Sequence, residues 1–148
     1  MSSKDQIIYV DASNQILGRL SSKVAKMLLE GYRIHVFNSE KAVISGDKGR
    51  IIDKFRKRLA RRTLKNPEKI VHKNPRTPDQ VLRRAIRGML PYKRPKGREA
   101  FKRLRVYIGS IEIPKDARVI NFEEADVSKL GHAYVYLGEI CKILGWKG

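Results

Sequence analysis

Two short β-type runs, residues 7–11 (IIYVD) and 33–38 (RIHVFN), stand about 20 residues apart with one amphipathic pattern between them. In that pattern, LGRLSSKVAKMLLEG, Leu17, Leu20, Val24, Met27 and Leu28 recur at helical spacing. Ser13 or Asn14 is placed to cap its start, and Gly31 to end it. A strand, a helix and a second strand at this separation predict a right-handed βαβ unit and a parallel sheet. After a turn at 39–41, AVIS (42–45) reads as a further short strand closed by Gly46.

The pattern then turns helical and strongly cationic. A helix is predicted from near Asp47 to about Leu64. At 100° per residue it carries Arg50, Lys54, Lys57, Arg58, Arg61 and Lys65 on one face and Ile51, Ile52, Phe55 and Leu59 opposite. Residues 66–76, with two prolines and little periodicity, read as an extended loop. Thr77, Pro78 and Gln80 then form a helix start, with Thr as N-cap and Pro in the first position. Val81, Leu82, Ala85, Ile86, Met89 and Leu90 make the apolar stripe of that helix, and Arg83, Arg84 and Arg87 lie on its other side. Pro91 is expected to end it. Residues 92–97 (YKRPKG) read as an irregular cationic loop, 99–104 as a short helical turn and 105–108 as a strand ending at Gly109. Further on, 117–122 reads as a strand and 123–129 as an acidic turn or short helix. Residues 136–144 read as a last amphipathic helix with Leu137, Ile140, Cys141 and Leu144 inward.

A length of 148 residues fits one domain, 1–148, and neither an internal repeat nor a low-complexity tract divides it. Within it a basic region spans 50–105, and residues 110–148 look like an appended C-terminal extension.

Charge is distributed as unevenly as the elements are regular. Residues 50–105 hold 21 Lys or Arg against four acids, a net of +17 out of +18 for the whole chain. A merely solvated face would mix both signs. Here the cations stand opposite apolar stripes, and in the stretch 83–109 an apolar residue separates almost every pair of them. Such an element shows one side to a core and the other to something anionic, and a nucleic-acid backbone fits best. A membrane fits less well, because no apolar run approaches the roughly 20 residues of a spanning helix. The N-terminus shows no targeting pattern.

Catalytic and cofactor chemistry finds little support. The first βα turn has Gly18 alone rather than GxGxxG, and SGDKGR (45–50) lacks the GK[ST] ending of a phosphate loop. His35, His72 and His132 are scattered without ligand spacing. Cys141 is the single cysteine, so an internal disulfide and a cysteine-rich metal site are both ruled out. The basic region holds no close acid pair of the kind that binds metal for phosphodiester cleavage. We therefore expect no cofactor, no small-molecule substrate and no enzyme activity. Tyr92 has two readings, a base-stacking ring and a structural ring.

Three segments carry a family resemblance: DASNQILGRLSSKVAKMLLEG, VFNSEKAVISG (36–46) and RGMLPYKRPKGREAFKRLRVYIG (87–109). Together they resemble the universal large-subunit ribosomal protein thirteen family, collinearly over nearly the whole chain. RGMLP with its basic loop and LxVYxG is specific to that family. The absence of an HSGYPGG-type motif, and the tail YLGEICKILGWKG, place the likeness with the archaeal and eukaryotic branch. The resemblance implies an α/β/α layered fold around a small, mainly parallel four-stranded sheet. It also implies a cytoplasmic, structural constituent of the large ribosomal subunit that binds 23S-type ribosomal RNA, adjoins other large-subunit proteins and joins early in assembly. Carried over by position, the RNA-contact candidates are Arg87, Lys93, Arg94, Lys96, Gly97 and Arg98. Helix geometry adds Arg58, Arg61, Arg62, Arg83 and Arg84. Two other readings stay open: a free RNA-binding translational regulator and an RNA-processing enzyme.

Overall fold

The computed structural model of the chain describes residues 6–60 and 75–148. Four strands, β1 (Ile7–Asp11), β2 (Arg33–Phe37), β4 (Leu104–Val106) and β5 (Arg118–Ile120), form one sheet in the order β4-β2-β1-β5. Every pairing in it is parallel, and Tyr9 lies beside His35 and His35 beside Arg105. Strand alternation sends Ile8, Val10, Ile34, Val36 and Leu104 to one face, where all are buried. That face is covered by α1 (Leu17–Leu29) through Leu20, Val24 and Leu28, by α3 (Pro78–Gly88) through Leu82 and Ile86, and by α4 (Pro95–Lys102) through Ala100. The expected α/β fold with a small parallel four-stranded sheet is therefore present.

A second, two-stranded sheet pairs β3 (Val43–Ser45) antiparallel with β6 (Tyr134–Tyr136). Around it α2 (Lys48–Leu59) and α5 (Leu137–Ile143) enclose a smaller core of Ile51, Val135, Ile140 and Leu144. The residues from 110 on are thus less separate than their composition suggests. β5 completes the main sheet, and α5 places Leu137, Ile140 and Cys141 wholly inside.

Several boundaries differ from the sequence expectations for local reasons. Neither Ser13 nor Asn14 caps α1, which starts only at Leu17 after an Ile16 N-cap. Residues 14–16 are held instead by long-range backbone bonds: Asn14 N–H donates to Lys41 O, Val43 N–H to Gln15 O, and Ile16 N–H to Ala125 O. Gly31 does end the helix, with φ +105°. α3 stops at Gly88, so Met89 leaves the apolar stripe and is 45% exposed. Thr77 is its N-cap residue but makes no side-chain capping bond. The loop after Pro91 is shorter than expected because Pro95, with φ already fixed, occupies the first turn of α4. For the helix expected over 47–64, the described part is α2 alone; Arg61, Arg62 and Lys65, like the loop 66–74, lie outside the described residues.

Candidate nucleic-acid interface

The cationic side is built on α3, the turn that follows it and α4. Apolar burial of Val81, Leu82 and Ile86 fixes how α3 is rotated, and leaves Arg84 and Arg87 exposed on the opposite side. The turn is drawn tight by Tyr92 N–H donating to Leu90 O (2.8 Å) and Arg94 N–H to Pro91 O (3.0 Å). Lys93, Arg94, Lys96 and Arg98 all emerge exposed from this turn and the first turns of α4. Gly97 differs from its neighbours: it is buried against the Pro91 carbonyl, where any side chain would collide with backbone. Its part in the motif is to let α4 close onto the turn.

Two arginines and two aromatic rings tie the helices together. The Arg87 guanidinium lies 4.6 Å from the Tyr92 ring centroid, and that of Arg83 4.6 Å from the centroid of Phe101. The two rings meet edge to face, 5.6 Å apart at 87°. Cation–ring attraction thus favours both guanidinium groups over their rings. Arg83 is the more enclosed of the two, half-buried and with its Nε shielded. On the far side of α3, a cleft of about 350 Å³ is lined by Phe55, Arg58, Leu59, Val81, Arg84 and Ala85. It brings Arg58, whose guanidinium lies 5.6 Å from the Phe55 ring, beside Arg84.

Among the described residues, no ion pair engages Arg83, Arg84, Arg87, Lys93, Arg94, Lys96 or Arg98; the two pairs found are Lys23–Glu124 and Lys48–Glu139, elsewhere on the molecule. Seven like charges held this way repel one another, and an anionic polymer relieves that repulsion. Arg103 belongs to the same basic run but does structural work. Its Nη2 donates to Leu28 O at 2.6 Å, placing a cation at the carbonyl end of α1. Sequence spacing gives no sign of this, because the partners are 75 positions apart. The Tyr92–Phe101 contact is equally silent in sequence, since a nine-residue separation across a turn matches no helix or strand period.

Other titratable groups sit apart from this face. His35, on the sheet face opposite α1, has its pKa lowered by burial and then by the Arg105 charge. Burial, with a smaller contribution from Asp79, pushes the Cys141 thiol up to about 12. Among the described residues no group of His, Cys, Asp or Glu is arranged to hold a metal ion. No described helix is long and apolar enough to cross a membrane.

Fold and site together define a small, basic α/β protein with a preformed cationic face of the kind that meets nucleic acid. The family model described as ribosomal protein L13 matches residues 5–112. Relatives named large ribosomal subunit protein uL13 align over almost the whole chain. That of Methanopyrus kandleri is 47% identical over 93% of this chain and 86% of its own length. That of Methanocaldococcus jannaschii is 46% identical over 93% and 97%, and that of Sulfurisphaera tokodaii 44% over 95% and 96%. The chain belongs to the ribosomal protein L13 family, and these relatives are archaeal.

Proposed function

We propose that this chain is a structural, non-catalytic constituent of the large ribosomal subunit that binds large-subunit ribosomal RNA and acts early in subunit assembly. The observation that carries the reading is the face of Arg83, Arg84, Arg87, Lys93, Arg94, Lys96 and Arg98, with no acidic partner among the described residues. The names of its relatives, all large-subunit proteins, support the assignment to that subunit. Arginine suits this role because its planar fork of donors matches phosphate oxygens, while the lysines add mobile charge. Selectivity then rests on shape and phosphate spacing, with few base-edge contacts. Arg58, Arg61 and Arg62 are further contact candidates in this reading, and neighbouring large-subunit proteins meet the less basic parts of the surface. The protein acts within cytoplasmic ribosomes.

Neutralising roughly 6 to 10 phosphates makes affinity fall by about 10³ to 10⁵ between 50 and 200 mM salt, by the duplex-DNA relation applied to RNA. Arg87→Ala and Arg94→Ala are each expected to weaken binding to large-subunit RNA and to lower the salt slope by about 1, with the domain still folded. Filter binding across a salt series measures this. Wild-type affinity and slope in both variants would remove these residues from the site.

A further inference from the structure

We infer that the corner between α3 and α4 holds an unpaired nucleotide, its base stacked on the Arg87 guanidinium backed by Tyr92 and its phosphates on Lys93 and Arg94; this deepens the RNA-binding reading above and rests on it. Duplex RNA offers a protein phosphates and 2′-hydroxyls, while its deep groove hides the bases. Cations alone would serve such a partner. This corner carries more than cations: the Tyr92 ring, beside Arg87, is 39% exposed, and Leu90 and Pro91 line the same hollow. Large apolar surface left bare among arginines and lysines matches a ligand that combines a flat, weakly hydrated ring with negative charge. An unpaired nucleotide is such a ligand.

The geometry is set before anything binds. Arg87 is exposed, and its guanidinium carbon lies 4.6 Å from the Tyr92 ring centroid. Tyr92 is itself held by Phe101 at 5.6 Å and 87°. The hollow beside them, about 550 Å³ in volume, is lined by Arg87, Leu90, Pro91, Tyr92, Lys93 and Arg94. That lies within the range of small-molecule sites. The tight backbone bonds of residues 90–94 and the seating of Gly97 on Pro91 keep the hollow's wall in place.

The test uses the full chain with two RNAs, a duplex and the same duplex carrying one unpaired adenosine bulge, the bulge being replaced by 2-aminopurine for fluorescence. Wild-type protein is expected to bind the bulged RNA more tightly and to quench 2-aminopurine by stacking. Tyr92→Ala removes no charge, so it should lower affinity for the bulged RNA by roughly 5- to 150-fold, the span of one lost base stack. The quench should vanish, and the loss on the bulged RNA should exceed any loss on the duplex by at least about 5-fold, because every charge that sets the salt slope is retained. Tyr92→Phe keeps the ring and should behave as wild type, which also separates the effect from misfolding. Equal loss on both RNAs, no loss on either, or a persistent quench in Tyr92→Ala would overturn the inference while leaving phosphate binding intact. A wild-type chain that binds neither RNA would overturn both readings together.

Discussion

At Gly97 an added methyl group would overlap the Pro91 carbonyl and stand 2.8 Å from the Tyr92 amide nitrogen. These are backbone atoms of a turn already closed by two hydrogen bonds, so they yield only if α4 moves away from α3. Gly97→Ala should therefore destabilise the fold by about 1–3 kcal/mol, as overpacking does, and loosen the cationic corner with it. Denaturant titration gives the first effect and RNA affinity the second; a variant of native stability would contradict this packing role. Cys141 tests the interior in another way. Its folded pKa of about 12 lies above the unfolded value, so the unfolded chain loses the proton first. Stability present below about pH 9 is then lost as pH rises toward 12. Cys141→Ala should flatten that alkaline decline relative to wild type, and the wild-type thiol should resist iodoacetamide at pH 9 until the protein is unfolded. Rapid alkylation of the native protein would place the thiol outside the core.

The elements were legible in sequence where their faces differ in polarity. α1 and α3 show this, because burial of every third or fourth residue leaves a periodic trace. The start of α1 was not legible: residues 14–16, just before it, answer to carbonyls and amides from 41–43 and 125–127, and nothing local records such partners. β6 was missed for a related reason. Its three residues become a strand only by pairing with β3, some 90 positions earlier, and α5 follows directly. The cations of the candidate face were readable as a class, yet Arg103 was not separable from them. Only the folded chain brings it to Leu28 O, where it adds a charged donor to a helix-end carbonyl that also accepts from Gly31 N–H. Arg103→Ala should remove about 1–2 kcal/mol of stability through that helix end, and speed hydrogen exchange in the last turn of α1. A native exchange pattern would show that water replaces the guanidinium without loss.

Across the whole molecule, charge and hydrophobicity are divided between two sides of one α/β framework. The parallel sheet fixes α1, α3 and α4 on its apolar face, and those helices fix in turn which arginines look outward. Residues 50–105 carry nearly all of the net charge, while the rest of the chain is close to neutral. Like charges gathered in this way repel one another, and a polyanion relieves that repulsion. In the proposed role many phosphates are held at once within a folded subunit, so that release is slow compared with a wash even where salt weakens the equilibrium affinity. Sucrose-gradient sedimentation of a cell lysate, with the protein located by immunoblot in moderate salt and again after a high-salt wash, tests this most directly. Comigration with the large subunit under both conditions is the predicted result. Recovery in the light fractions alone would contradict the structural-constituent account.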